Sequence, residues 1–428
     1  MKDLNKFQFV VMGIFIFAAL AAVVIFATTK ARPSGQVTLG PVSVWGELNE
    51  RTFSDFINRV NDQIQDKTQF VNIRYFQKDP ATIHDELLEA VADGSAPDII
   101  ILPHDYIGKY SRRIFLIPYE TISERAFSDL FTEGSEIFKL QGGIAGVPFA
   151  VDPLVMYWNR DIFTNANISQ PPATWDDLSD LVKVLTIKDR DFRIEQSLIG
   201  LGEYRNIDHA KAILSVLALQ RGSLITQLQA GNAIVASFGS GLEDALSFYT
   251  AYADPSSNYY SWNRSLQSSK EQFLLGKSAL YIGFGSEALE LRQKNPNLNF
   301  DVAALPQVKN APRRLTYGTI YGFSVLRTSP HIADALGTIW KLASSNAAQA
   351  WTQISNLPPV QRSLLGQQLP DRFGTLLNQS ALIAKAWLDP DPVETDGVFN
   401  NLIESVTSGK LSVDQALMTA TNEINAIR

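Results

Sequence analysis

Residues 142–163, GGIAGVPFAVDPLVMYWNRDIF, carry two apolar runs on either side of the pair Asp152-Pro153. The runs GVPFAV and LVMYW are rich in β-branched and aromatic residues, which favour extended strands. Because proline within a strand pattern marks an irregular point of a sheet, the Asp-Pro pair indicates a special position. We therefore predict one strand that passes from one lobe of the protein into another, with the carboxylate of Asp152 at the crossing.

Strands and helices alternate in the sequence that precedes this stretch. Residues 37–45, 71–76 and 98–102 read as strands, and amphipathic patterns between them predict helices, the second of which opens with a capping-box-like Thr82-x-x-Asp85. This alternation is typical of a parallel sheet covered by helices, an α/β fold. Ligands of such sheets bind beyond the carboxyl ends of the strands, which are here residues 45–47 and 103–105.

The sequence that follows the Asp-Pro pair continues the same alternation. Residues 278–282 and 299–305 read as strands, and residues 322–326 as a strand that returns across the hinge. Amphipathic helices are predicted over residues 332–342 and, with a Ser-x-x-Gln start, over residues 412–427.

Composition limits the classes of function. The chain has 428 residues, 45% hydrophobic and 19% charged, which is typical of a globular protein long enough for two or three domains. A net charge of -7 without a basic stripe argues against nucleic acid as a partner. The absence of cysteine excludes disulfides and thiolate metal sites, and the four histidines show no metal-ligand spacing, so neither a metal nor another cofactor is predicted.

The N-terminal residues predict a membrane segment. Residues 9–27 form a run of 19 apolar residues, long enough to cross a bilayer and longer than the apolar region of a usual signal peptide. Residues 31–36, ARPSGQ, are a short polar tether. We expect residues 1–36 to be an uncleaved anchor that leaves the bulk of the chain outside the cytoplasm, and cleavage as a long signal peptide is the alternative.

Several stretches resemble one family in an ordered way. They are GGIAGVPFAVDPLVMYWNRDIF, WNRDIFTNANISQPPATWDDL, LGEYRNIDHA, QFLLGKSALYIGFGSEA, FDVAALPQV and ESVTSGKLSVDQAL. The family is that of the bacterial extracellular solute-binding proteins, family 1, the sugar-binding relatives of maltose-binding protein. The common lipoprotein version has a cysteine after its signal, and this chain has none; the predicted anchor would take that role.

The resemblance implies a two-lobed periplasmic-binding-protein-like fold of type II, with three crossovers between its lobes. The first α/β lobe would comprise residues 37–150 plus about 322–373, and the second residues 151–321 plus about 374–428. A sugar or other small polar solute would bind between them and pass to the permease subunits of an ABC transporter. We expect a monomer that is not an enzyme.

Sugars stack their C–H faces on aromatic rings and bond their hydroxyls to planar polar groups. Side chains of both kinds follow the predicted strand ends or match the family's cleft positions. These candidate ligand-binding residues are Trp45, Glu47, Asp105, Asp152, Asn206, Trp262, Phe284, Tyr317, Tyr321 and Trp387.

Each candidate also has a structural explanation. Glu47 can cap the following helix, Asp152 can serve only the hinge, and Asn206 can cap a helix. Trp262 and Trp387 lie in polar contexts, which favours their exposure to the cleft. The acidic run 389–396 lacks a calcium-loop pattern and reads as a solvated turn.

One further motif is a weak match to a nucleotide-binding pattern. Gly283-x-Gly285-x-x-Ala288 follows a strand, but the acidic residue expected about 20 positions later is missing, so we interpret it as a turn at the cleft mouth.

Two functions remain after this reading. The first is a solute-binding protein of an ABC importer, with carbohydrate as the expected solute. The second is a membrane-anchored glycan-processing enzyme, which would need two carboxylates about 5–10 Å apart across a sugar ring, although the sequence identifies no such pair. A ligand sensor without a transporter would use the same site as the importer.

Overall fold

The computed structural model describes residues 39–66, 70–311, 313–366, 369 and 371–427. The predicted anchor and tether lie outside these residues. Within the described part of the chain, no helix is both long enough and apolar enough to span a bilayer.

The strands and helices largely follow the predicted alternation. The strands are β1 (Val42–Gly46), β2 (Ile73–Gln77), β3 (Ile99–Pro103), β4 (Lys139–Leu140), β5 (Gly143–Ile144), β6 (Val147–Asn159), β7 (Ile187–Lys188), β8 (Ile194–Ile199), β9 (Thr226–Leu228), β10 (Ile234–Ala236), β11 (Ser278–Phe284), β12 (Phe300–Ala303), β13 (Thr316–Val325) and β14 (Ala384–Lys385). The helices are α1 (Glu50–Asp62), α2 (Ile83–Asp93), α3 (Ile107–Tyr110), α4 (Glu124–Leu130), α5 (Arg160–Asn165), α6 (Leu178–Leu185), α7 (Ala210–Gln220), α8 (Ser240–Thr250), α9 (Ser269–Leu274), α10 (Glu287–Lys294), α11 (Ile332–Leu342), α12 (Ser345–Ser355), α13 (Arg362–Leu365), α14 (Arg372–Leu382), α15 (Pro392–Thr407) and α16 (Val413–Ala426).

The helix ends reflect local chemistry. Ser412 and Gln415 form the predicted capping box at the start of α16. The capping box predicted at Thr82 is wrong, because its hydroxyl donates to Glu86 Oε1 at 2.6 Å and caps no backbone group. Helix α2 ends at Gly94, whose φ of +79° suits a residue without a Cβ.

The main sheet has the order β2-β1-β3-β13-β6-β11-β8-β7, with β12 on β6 and β14 on β13. Strands β1, β2 and β3 are parallel, as predicted, so their carboxyl ends share one edge. The buried, wholly aliphatic start of β3 suits a strand covered on both faces.

Strand β6 is continuous through Asp152-Pro153, which confirms the prediction of a single strand. Its first half, to Pro153, pairs with β13, and its second half, from Leu154, pairs with β11 and β12. Nearly every residue of this strand is buried. The strand therefore joins two regions of the sheet that have different neighbours.

Two large apolar cores lie on either side of this joint. The first core contains Val44, Ile101, Phe149 and Trp351, and the second contains Met156, Leu217 and Phe399. A smaller cluster around Tyr157 and Leu377 packs α14 against β6. The residue bounds given above for the two lobes remain a prediction.

Candidate functional site

The carboxyl ends of β1 and β3 bring two acidic side chains together. Glu47 follows β1 and is half-buried, and Asp105 lies in the 3₁₀ turn His104–Tyr106 that follows β3. Glu47 has no hydrogen-bond partner among the described residues, and the Oδ1 atom of Asp105 is sealed from solvent without a partner. The pKa of Glu47 is raised by burial and then by the charges of Asp105 and Asp79. Burial also raises the pKa of Asp105, against the lowering effect of Lys211 and of nearby backbone N–H groups.

Two tyrosines lie beside these carboxylates. Tyr106 stacks on the His84 ring with 3.5 Å between ring centroids, and Tyr321 comes from the middle of the crossing strand β13. Burial raises the pKa of each tyrosine, and the charges of Asp105 and Glu47 raise it further. Neither hydroxyl has a hydrogen-bond partner in the described part of the chain. Hydroxyls and carboxylates left unpaired at one place are what a polar ligand needs.

Asp152 lies at the crossing of β6, opposite Thr319 of β13. Its Oδ1 accepts a hydrogen bond of 3.1 Å from the Ser286 N–H at the start of α10. Burial raises the pKa of Asp152 to about 6. Asp152 therefore connects the crossing point of β6 to the loop after β11. A second hydrogen bond, 3.0 Å long, joins the Gly285 N–H of that loop to the Pro153 carbonyl oxygen.

The glycines of the weak nucleotide-type motif have a packing role. A Cβ on Gly285 would lie 2.6 Å from Leu377 and 3.4 Å from Asp152 Oδ1, and one on Gly283 would lie 2.5 Å from Tyr281. The turn is thus too crowded for a larger residue.

Phe284 reaches this region from the end of β11. Its ring meets the His209 ring edge to face at 4.8 Å, and its backbone N–H donates to Glu287 Oε1 at 2.7 Å. Burial alone would raise the pKa of Glu287, but hydrogen bonds from His209, Lys270 and Tyr281 bring it down to about 2. The ionised Glu287 therefore fixes both Phe284 and His209.

A buried ion pair faces the acidic side chains from the second core. Lys211 Nζ lies 2.7 Å from Asp389 Oδ2 and 2.6 Å from Thr395 Oγ1, and it lies 5.3 Å from the Trp387 ring centroid. Asp389 is only 1% exposed, and burial raises its pKa to about 6 in spite of Lys211. The sequence interpretation of residues 389–396 as a solvated turn is wrong for Asp389.

Elements of the two cores touch beside this ion pair. Lys109 of α3 forms an ion pair of 2.9 Å with Asp391, the N-cap of α15. A Cβ on Gly108 would lie 2.1 Å from the Asp389 carbonyl oxygen. Gln141, in the β4–β5 turn, accepts a hydrogen bond of 2.9 Å from the Gly231 N–H. The arrangement is therefore close-packed across the joint.

Three predicted contacts are corrected by the structure. Trp262 is 0% exposed, and its indole N–H donates to Asn206 Oδ1 at 3.1 Å, so its predicted exposure to the cleft is wrong. The Asn206 amide also donates to the carbonyl oxygens of Asn263 and Leu266, so it holds this loop and caps no helix. Trp387 is 5% exposed and donates to Ser215 Oγ at 3.0 Å, so its predicted exposure is also wrong.

Two further aromatic candidates already have partners. The Tyr317 hydroxyl lies 3.1 Å from Nε2 of the buried His104, whose pKa burial lowers to about 3. Lys78 Nζ lies 3.8 Å from the ring centroid of Trp45 and also pairs with Glu86. Trp45 is half-buried near the end of β1, and Lys78 covers one face of its ring.

No motif in the sequence pointed to Tyr106, His209 or Lys211 as site residues. Each nevertheless follows the carboxyl end of a strand: Tyr106 closes the turn after β3, and the other two stand at the start of α7 after β8. A search of the residues directly after each strand would have included Tyr106, but not His209 or Lys211, which lie ten and twelve positions after the end of β8.

Two cavities lie outside this group of residues. One, of about 390 Å³, lies between α15 and α16 beside Arg264. The other, of about 320 Å³, is lined by residues from 133–137, 219–226 and 385–388, Trp387 among them. Neither contains Glu47 or Asp105. No cluster of three or more potential metal ligands is found among the described residues.

Comparison with known proteins identifies the family. The family model for bacterial extracellular solute-binding proteins matches residues 71–350. A protein of Brucella abortus (strain 2308) named as a binding protein is 24% identical over 298 residues, 67% of this chain and 69% of its own length. The maltotriose-binding protein of Pyrococcus abyssi (strain GE5 / Orsay) is 26% identical over 145 residues, 34% of this chain and 30% of that protein. The crystal structure of the cyclic alpha-maltosyl-1,6-maltose binding protein from Arthrobacter globiformis superposes with a TM-score of 0.71 at 18% identity, covering 91% of this chain and 98% of that one.

The chain belongs to the bacterial extracellular solute-binding proteins. The family resemblance is thereby confirmed, and the structural match confirms the two-lobed α/β fold. The family consists of binding proteins, so this chain is a binding protein and not an enzyme. Membership also places the bulk of the chain outside the cytoplasm.

Proposed function

We propose that this chain is the substrate-binding protein of an ABC importer and that it binds a carbohydrate between its two lobes. The observation that supports this proposal is the group of side chains formed by Glu47, Asp105, Tyr106 and Tyr321. These side chains converge at the carboxyl ends of β1 and β3 and have unpaired acceptors or hydroxyls. Sugar hydroxyls are donors of the kind that such a group lacks.

Names of similar proteins support the carbohydrate class. The Pyrococcus relative is described as binding maltotriose and the Arthrobacter structure as binding a cyclic maltosyl-maltose. We retain Trp45, Glu47, Asp105, Asp152, Phe284 and Tyr321 as ligand contacts and add Tyr106. Tyr317 acts as a positioning residue through His104.

Binding would proceed by closure of the lobes about the strands that cross between them. The ligand binds first to the strand ends of the first lobe, and its higher affinity for the closed form then shifts the equilibrium. The contacts of Lys109 with Asp391 and of Gln141 with Gly231 would form and break in this motion. The residue bounds predicted for the lobes fit this mechanism and are part of the proposal.

We further propose that residues 1–36 anchor the protein in the cell membrane and that it works as a monomer beside its permease. Fractionation of spheroplasts without added protease tests the anchor. The full-length protein should remain with the membrane fraction, whereas release of a shortened protein would contradict anchoring and support cleavage.

Thermal unfolding of the full chain in a detergent without a sugar head group tests the function. A panel of oligosaccharides, polyols and short peptides is compared at equal concentration. A ligand at about a hundred times its dissociation constant should stabilise the fold by about 2.7 kcal/mol.

The variant Asp105→Asn should lose this stabilisation, and the exposed Glu89→Gln on α2 is the matched control. Stabilisation by peptides alone would overturn the carbohydrate class. Stabilisation that survives the Asp105 substitution would overturn the site.

A further inference from the structure

The charges around Tyr106 do not balance. Four carboxylates act on its hydroxyl, those of Asp105, Glu47, Asp391 and Asp389. Asp389 is paired with Lys211, and Asp391 is paired with Lys109. Glu47 and Asp105 have no ion-pair partner among the described residues, and burial raises the pKa of both, so each carboxylate lacks a paired cation that would stabilise its charged form.

Neighbouring cations do not relieve this excess. Lys78, beside Trp45, is paired with Glu86, and Asp79 adds a further repulsive charge at Glu47. Lys211 attracts Asp105, but its ammonium is hydrogen-bonded to Asp389, Thr395 and the Pro392 carbonyl oxygen. Two histidines near these carboxylates are neutral at pH 7, because burial lowers the pKa of His84 to about 4 and that of His104 to about 3.

The geometry defines what a ligand must supply. The Oδ1 atom of Asp105 is buried and unpaired, so it needs a donor that reaches it when the site is filled. A neutral hydroxyl would satisfy its lone pair but would leave the repulsion between Asp105 and Glu47. An ammonium group provides donors and opposite charge together, and charge-assisted hydrogen bonds are about twice as strong as neutral ones. The Tyr106 ring, held by His84, supplies an aromatic wall beside the same charges.

We propose that the natural ligand is a carbohydrate that carries an ammonium group, an amino sugar or an oligosaccharide of amino sugars. Its ammonium binds between Glu47 and Asp105, and its ring lies beside Tyr106. This inference rests on the proposed function, since it names the substrate class of the same site. A polyamine would present the same ammonium without the sugar hydroxyls.

Titration calorimetry on the full chain, in a detergent without a sugar head group, separates these ligands. The probes are the linear trimer of glucosamine, the same trimer fully N-acetylated, maltotriose, and spermidine. We expect the glucosamine trimer to bind at least tenfold more tightly than either neutral trimer and than spermidine. Its affinity should fall when salt is raised from 50 to 300 mM, because screening weakens the attraction between charges.

Two variants and one control locate the effect. Glu47→Gln and Asp105→Asn should each weaken binding of the glucosamine trimer at least tenfold more than they weaken binding of the neutral trimers. Glu89→Gln should change none of them. The comparison of the four probes uses only the wild-type protein, so it tests the ammonium inference even where a variant fails to fold.

The outcomes distinguish this inference from the proposed function. Tighter binding of a neutral trimer would overturn the ammonium inference and leave the carbohydrate function standing. Binding of spermidine alone would overturn the carbohydrate function and show that the site at Glu47 and Asp105 binds a polyamine. Absence of binding by all four probes, in protein that unfolds cooperatively, would count against both.

Discussion

Removing the ammonium of Lys211 should destabilise the second core strongly. Lys211→Met keeps the aliphatic stem but leaves Asp389, 1% exposed, with only the Thr395 hydroxyl as a partner among the groups described around it. Breaking a buried pair by removing one member costs about 3–5 kcal/mol, because the remaining charge is uncompensated. For lobes of this size, that loss corresponds to a fall in melting temperature of about 2–4 °C per kcal/mol.

The pH dependence of this loss follows from linkage. The pKa of Asp389 is already about 6 in the folded protein, against an ordinary value near 3.8, and removal of Lys211 raises it further. The folded state then binds more protons than the unfolded state, so stability falls as pH rises through this window. Protonated Asp389 carries no charge, so the variant should lose less stability at pH 5 than at pH 8.

Urea unfolding followed by tryptophan fluorescence and circular dichroism measures the effect at both pH values. Lys183→Met is the matched control: its partner Asp180 is 3.0 Å away, but the two side chains are 65% and 86% exposed, so we expect less than about 1 kcal/mol. Lys211→Met combined with Asp389→Asn should recover about 2 kcal/mol, because the buried charge is gone. A Lys211 variant as stable as the control variant, or a loss that grows toward pH 5, would refute the reasoning.

Three further substitutions test other parts of the structure. Burial gives Asp152 a pKa of about 6, so Asp152→Asn should reduce the decline in wild-type stability that accompanies a rise from pH 4 to 6, to which Asp389 also contributes, as monitored by thermal unfolding. Trp262→Phe deletes the N–H that Asn206 accepts and leaves a void, so it should cost about 1–3 kcal/mol in urea unfolding, and no change would contradict its burial. Tyr317→Phe removes the hydroxyl from His104 and should cost about 1–2 kcal/mol while weakening ligand binding less than Asp105→Asn does, as measured by calorimetry.

The periodic parts of the fold could be predicted from local sequence. The helix predicted over residues 332–342 is α11 with the same bounds, and the capping box at Ser412 is present. The single crossing strand was also predicted, because its apolar runs and its Asp-Pro pair lie within one short stretch. Local patterns suffice where the determining residues are neighbours in sequence.

The site could be predicted only in part, because its chemistry depends on residues distant in sequence. Trp262 lies in a polar stretch, and only Asn206, 56 positions earlier, provides the partner that permits its burial. Asp389 likewise stands in an acidic run, and its burial depends on Lys211, 178 positions away. Glu47 and Asp105 were found because strand ends can be recognised locally. Which polar residues have partners could not be predicted without the fold.

The second core has a consequence for the order in which the chain can fold. Its strands come from the middle of the sequence, but it also needs Phe399 and Ile403 of α15 and Ile424 of α16. During synthesis, the apolar faces of β8, α7 and β11 therefore cannot be fully buried until helices that emerge more than a hundred residues later have been made. Until then this half of the protein has no complete interior and should stay open. A chain that stays unfolded during this delay can still pass through a membrane channel, as a protein exported before folding must do.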